Sequence, residues 1–178
     1  MKVIFLDIDG VLNTTDTFIK RSEEYKKTGI YKIEVDEFRL EYLKEIIDKT
    51  NAKIVLSSSW RYFFTKSSKK VIPRTQKGKE LYDLFLNYDI EIYDIISING
   101  NSREGQINEW LENNSNIESF IIIDDEPNMF NELSDRLIQT SIVKSNEMLM
   151  NMDDCIGLCE HHIYSSINML KSKVKIKK

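Results

Sequence analysis

Two prolines, two cysteines, two histidines and only six glycines occur in 178 residues, and each scarcity removes a class of protein. So little Pro and Gly excludes collagen-like and low-complexity chains and leaves little material for flexible linkers. No uninterrupted apolar stretch reaches the ~18 residues that a membrane-spanning helix needs. The opening "MKVIFLDIDGVL" has a lysine and then apolar residues, but Asp7 and Asp9 interrupt it before a secretory core forms, so no signal peptide is expected. Cys155 and Cys159 stand four apart in a helical pattern where a bridge would be strained, so free thiols and a cytoplasmic location are expected. The net charge of -4 argues against a generalised nucleic-acid coat, although a local basic patch can act within an acidic total.

What is present is a soluble composition, 41% hydrophobic and 30% charged, at a length that suits one domain over residues 1–178. Short apolar runs rich in β-branched residues recur at 2–6, 53–57, 90–98, 119–123 and 137–143. Their apolarity is continuous, which predicts strands buried on both faces. Helical spacing separates them: Leu40, Leu43, Ile46 and Ile47 after a capping Asp36, then Leu81, Leu84, Phe85 and Tyr88, then Ile107, Trp110 and Leu111. A last helix carries Leu158, Ile163, Ile167 and Leu170, followed by a basic tail over 171–178 expected to fray. Alternating strand and helix predicts an α/β fold of three layers, Rossmann-like, with a central parallel sheet of about five strands.

Ligands of such sheets collect beyond the carboxyl ends of the strands. Three of those ends are polar: Asp7 and Asp9 in "FLDIDGVLN", Ser57 to Ser59 in "KIVLSSS", and Asp124 and Asp125 in "FIIIDDEP". Four carboxylates brought to one edge repel, and each raises its neighbours' pKa unless a cation neutralises them. An all-oxygen donor set points to a hard ion, and a small site suits Mg²⁺. The DxDG run is not a calcium loop, because Gly10 is fourth in it rather than sixth and no helix precedes it. Cys155, Cys159, His161 and His162 do not have the spacing of a structural zinc site.

Taken in order, "FLDIDGVLN", "KIVLSSS" and "FIIIDDEP" resemble motifs one, two and four of the haloacid dehalogenase (HAD) superfamily, mostly Mg²⁺-dependent phosphatases and phosphotransferases. The resemblance spans residues 3 to about 143 and implies a phosphoric monoester hydrolase. It implies that Asp7 is the nucleophile that forms an aspartyl-phosphate, and that Asp9 is the acid and then the base. It also implies that Asp7, the Asp9 backbone carbonyl, Asp124 and Asp125 hold the metal, and that Ser57, with Ser58 in reserve, binds a phosphoryl oxygen. Arg103, opening the helix before "SFIIIDD", is the expected third-motif cation, with Lys77 and Lys79 as runners-up. About forty residues separate motif one from motif two, so any cap domain is small or absent.

"SSSWR" resembles the second motif of the HAD domain of predicted RNA-repair proteins. On that reading Trp60 stacks on a base and Arg61 holds a second phosphate; the alternative is Trp60 in the core and Arg61 in a structural ion pair. Residues 62–79 contain Lys66, Lys69, Lys70, Arg74, Lys77 and Lys79 and no acid, which could attract a polyanion. A nucleotide or nucleic-acid end is therefore the expected substrate. A small metabolite, or a phosphate-binding module without catalysis, remains the alternative.

Overall fold

The computed structural model describes residues 1–68, 70–98, 102–142 and 156–174. Five strands, β1 (Lys2–Leu6), β2 (Lys53–Leu56), β5 (Ile92–Ile95), β6 (Ser119–Asp124) and β7 (Leu137–Gln139), form one sheet in the order β5-β2-β1-β6-β7. Every neighbouring pair is parallel. The expected sheet is therefore present, with its strands in the expected order along the chain. Three strands are shorter than their apolar runs, β2 by the single residue Ser57. The run at 90–98 loses its start because the Ile90 N–H caps the preceding helix by bonding Phe85 O, and the run at 137–143 ends where Thr140 turns its hydroxyl to Gly10 O.

Alternate side chains of these strands feed two cores. Ile4, Leu6, Ile54, Leu56, Ile121 and Ile123 meet α2 (Glu37–Thr50), α3 (Gln76–Asn87) and α5 (Glu160–Lys171) on one face. Val3, Phe5, Val55, Phe120 and Ile122 meet α4 (Arg103–Glu112) on the other. Phe5 sits at the centre of the second core, edge-on to Trp110 at 5.3 Å and to Phe120 at 5.8 Å. Burial of both sheet faces explains why the strands read as unbroken apolar runs rather than as alternating ones. Arg136 ties α5 to the sheet, donating to Phe120 O at 2.8 Å, Ser119 Oγ at 2.9 Å and Met169 O at 3.1 Å.

Two insertions are small. Helix α1 (Thr15–Thr28) lies between β1 and α2, buries only Thr17, and ends at Gly29 in the left-handed conformation. The basic segment after β2 is not a loop: it is a 3₁₀ turn (Ser59–Phe63) leading into an antiparallel hairpin of β3 (Phe64–Ser67) and β4 (Lys70–Pro73). After α5 the chain stays attached, with the Val174 N–H bonded to Glu118 O; residues 175–178 of the basic tail lie outside the described residues. The free-thiol expectation does not hold for Cys159, which is disulfide-bonded, and Cys155 lies outside the described residues. No helix among the described residues is long and apolar enough to cross a membrane.

Candidate active site

The ladder of β1 runs one residue past each strand end. The Asp7 N–H bonds Ile123 O at 3.0 Å, and the Ser57 N–H bonds Leu6 O at 3.0 Å. Asp7, Ser57 and Asp124 are thereby fixed by backbone at the carboxyl edge of three adjacent strands. Carboxylate oxygens of Asp7, Asp124 and Asp125 lie within 4.8 Å of one another. Asp125 closes on the loop after β1 only because residue 10 is glycine: a Cβ there would stand 2.2 Å from Asp125 Cγ, and its φ of +73° also favours glycine.

Burial in this cluster disfavours charge. Asp7 is pushed up to about 7, by burial first, with the Asp124 charge adding to it and the Arg103 guanidinium and a Ser58 hydrogen bond opposing it. Asp125 is pushed up to about 6 by burial and then by Asp124, and burial raises Asp124 as well. Among the described residues Arg103 is the cation paired with these acids, with Nη1 at 2.5 Å from Asp124 Oδ2 and 3.4 Å from Asp7 Oδ2. Its position at the first turn of α4, behind the Ser102 cap, gives it this reach. The three acids supply oxygen donors only, and among the described residues a single arginine pairs with them, so their chemistry fits a hard divalent cation.

The Ser57 hydroxyl is buried and has no hydrogen-bond partner, an arrangement that costs about 1–3 kcal/mol unless a ligand completes it. Ser58 caps the 3₁₀ turn, its Oγ accepting from the Trp60 N–H at 3.2 Å. Asp9 stands apart from the acid cluster: its carboxylate accepts from Asn13 Nδ2 at 2.8 Å and from Trp60 Nε1 at 3.0 and 3.1 Å. Asn13 is in turn held by Glu34 O at 3.0 Å and by the Gly10 N–H at 3.1 Å. The sequence offered no signal for the Trp60 contact, which spans 51 residues, and for Asn13 only its polarity and its place four residues after Asp9.

Where Trp60 and Arg61 lie does not fit the ligand contacts expected of them. Trp60 is 3% exposed and its indole N–H is given to Asp9, so no ring face is open for a base. Arg61 is 6% exposed and donates to Ser57 O, Ser58 O, Ser97 O and Gln106 Oε1, which leaves its guanidinium committed. The basic segment is also less basic in space than in sequence. Lys66 pairs with Asp94 at 2.7 Å, Lys77 with Glu34 at 2.9 Å and Lys79 with Asp83 at 2.5 Å, while Lys69 lies outside the described residues. A groove of about 620 Å³ between the hairpin and α4 is lined by Lys66 and Arg74 but equally by Asp94 and Glu109, and contains none of the clustered acids.

Cys159, His161 and His162 also converge, but not as ligands. The Cys159 sulfur is in a disulfide, and His162 Nδ1 accepts from the Cys159 N–H at 3.0 Å while the ring also bonds the Gln139 backbone.

A parallel sheet in this order, with acids ending β1 and β6 and serines ending β2, defines a domain of the HAD superfamily of hydrolases and phosphatases. More narrowly, the chain belongs to the family described as HAD domain in Swiss Army Knife RNA repair proteins, whose model matches residues 3–144. Comparison with curated proteins and with solved structures gives no match.

Proposed function

We propose that residues 1–178 form a single-domain, Mg²⁺-dependent phosphatase that hydrolyses a phosphomonoester at a nucleotide or nucleic-acid end. The carrying observation is the meeting of Asp7, Asp124, Asp125 and Arg103 at the sheet edge whose neighbouring strand ends in Ser57, with its unpartnered buried hydroxyl. Acids alone would suit many purposes, but a buried hydroxyl donor next to them suits a phosphoryl oxygen. The family's RNA-repair context supports the substrate class. The ion-paired lysines of the hairpin lend that class less support than the sequence suggested, and a small metabolite is the competing substrate. The disulfide at Cys159 likewise removes the free-thiol support for a cytoplasmic location.

In the reaction an Asp7 carboxylate oxygen attacks phosphorus in line, the bond from phosphorus to the ester oxygen breaks, and Asp9 gives that oxygen a proton. Water then attacks the aspartyl-phosphate, losing a proton to Asp9, and the bond from phosphorus to Asp7 breaks to release phosphate. Ser57 and Ser58 orient phosphoryl oxygens, and Arg103 balances the charge that spreads over them. Asp7, Asp124, Asp125 and the Asp9 carbonyl would hold Mg²⁺, which when bound supplies charge neutralisation and a fixed orientation for the phosphoryl group. The test is a phosphatase panel of nucleotides, sugar phosphates and oligonucleotides with 3′- or 5′-phosphate ends. Oligonucleotide turnover that needs Mg²⁺ and disappears in Asp7→Asn is expected; fast turnover of a small metabolite with oligonucleotides ignored overturns the substrate class, and no turnover of any ester overturns the activity.

A further inference from the structure

We propose that Trp60 is a positioning residue that fixes the rotation of the Asp9 carboxylate, so that the Asn13 donor on one oxygen leaves the other to carry the transferred proton. This rests on the assignment of Asp9 as acid and base. Indole nitrogen is a donor only, so its hydrogen bond fixes direction: Asp9 must accept. Trp60 Nε1 lies 3.1 Å from Asp9 Oδ1 and 3.0 Å from Oδ2, straddling both. Asn13 adds a donor to Oδ1 alone, at 2.8 Å, and Asn13 is itself immobilised by Glu34 O and the Gly10 N–H. Oδ1 is therefore doubly engaged and Oδ2 shares a single donor. Oδ2 is the oxygen left to hold and deliver a proton.

The indole is placed firmly enough to do this. The Ser58 cap receives its backbone N–H, Phe63 packs edge-on at 5.9 Å, and Lys77 Nζ sits 4.1 Å from the ring centroid. Lys77 is anchored by Glu34, the residue whose carbonyl also holds Asn13. The two donors to Asp9 thus share one support on the segment before α2. No role in burying apolar surface requires the indole nitrogen to face Asp9; Phe would fill most of that space without a donor.

The test compares wild type with Trp60→Phe on two esters, using kcat/KM, which reports steps only up to departure of the leaving group. An alkyl phosphate needs a proton delivered to its poor leaving oxygen, whereas p-nitrophenyl phosphate does not. Trp60→Phe should lower kcat/KM for the alkyl ester roughly tenfold to a hundredfold and leave the aryl ester within about threefold. Equal losses on both esters, or no loss on either, overturn the positioning role while leaving the phosphatase assignment standing. An oligonucleotide terminal phosphate serves as the alkyl ester, and a wild type inactive on it, on the aryl ester and on the rest of the phosphatase panel overturns the phosphatase assignment itself. A readout without turnover accompanies these. The chain has two tryptophans, and Trp110 donates to Asp94, so its indole NMR resonance is an internal reference. Asp9→Ala should move the Trp60 indole N–H resonance and leave that of Trp110 in place; an unmoved Trp60 resonance refutes the hydrogen bond on which the proposal stands.

Discussion

Replacing Asp7 by Asn should make the metal-free domain more stable, and by an amount that depends on pH. Asp7 is 4% exposed and titrates at about 7 instead of 3.8. At about 1.4 kcal/mol per unit, holding it ionised in the fold costs about 4 kcal/mol. Because the folded pKa lies above the unfolded one, the folded chain binds this proton more tightly. The resulting stabilisation is complete below 3.8 and is lost as pH rises through about 7. Asn is neutral at every pH and removes the dependence, though exchanging a carboxyl for an amide among these neighbours carries a pH-independent penalty of about 1–3 kcal/mol where a hydrogen bond is lost. Urea unfolding of both proteins in chelator, at pH of about 5.5 and about 8.5, isolates the effect because the amide penalty cancels between the two conditions. The advantage of Asp7→Asn should grow by about 2 kcal/mol across that interval, which is the 1.5 units between 5.5 and the folded pKa. An advantage independent of pH, or one that shrinks as pH rises, would refute the account of this cluster as acids held against their charge.

Four further outcomes follow from the same geometry. Mg²⁺ at a hundred times its Kd should raise stability by about 2.7 kcal/mol, more at pH of about 8 than of about 6 because protons compete for the carboxylates, with chelator reversing it; a scanning calorimeter checks both. Arg103→Met should cut kcat on the order of a hundredfold and Arg103→Lys should recover part of it, since lysine restores the charge but not the planar fork. Arg61→Met should lower unfolding free energy by about 2–4 kcal/mol by stranding the Ser57 and Ser58 carbonyls, and an unchanged melting point with a raised KM would restore its reading as a phosphate contact. His162 is pushed down to about 4 by burial and by His161, so the unfolded chain takes up a proton first and stability falls as pH drops from 6.5 towards 4. His162→Gln should flatten that acid limb by about 2 kcal/mol, screening at its open edge included.

The sheet was legible in the sequence because both its faces are covered, which forces unbroken apolar runs, and its acidic ends were legible because an Asp that closes such a run stands out. Among the described residues the one acid inside a strand, Asp94 of β5, sits on the edge strand and is paired with Lys66 and the Trp110 indole. Helix α1 was not legible: Phe18, Ile19 and Tyr25 are exposed and only Thr17 is buried, so no apolar stripe marks it. The hairpin was hidden by lysines on strands whose inward positions, Phe64 and Val71, are too few to set a period. Its charge was misjudged for a different reason. A segment without acids reads as basic, but Glu34 and Asp94 reach it from elsewhere in the chain, and pairing across such distances leaves no local trace.

"SSSWR" shows the same limit at closer range, and with a consequence for the site. The 3₁₀ turn that begins at Ser59 sends neighbouring side chains about 120° apart, so Trp60 and Arg61 leave the loop in different directions. Trp60 reaches Asp9 on one side, and Arg61 folds back under the loop to bind the carbonyls of Ser57 and Ser58 on the other. Residue type suggested that both meet the ligand, because an aromatic beside an arginine is what recognition of a base and a phosphate requires. Burial assigns them inward instead. The loop holds the backbone of Ser57 and Ser58 still because the two bulky residues after them are spent on the protein, and under the proposed function a phosphate would meet hydroxyls carried on a backbone already fixed from beneath.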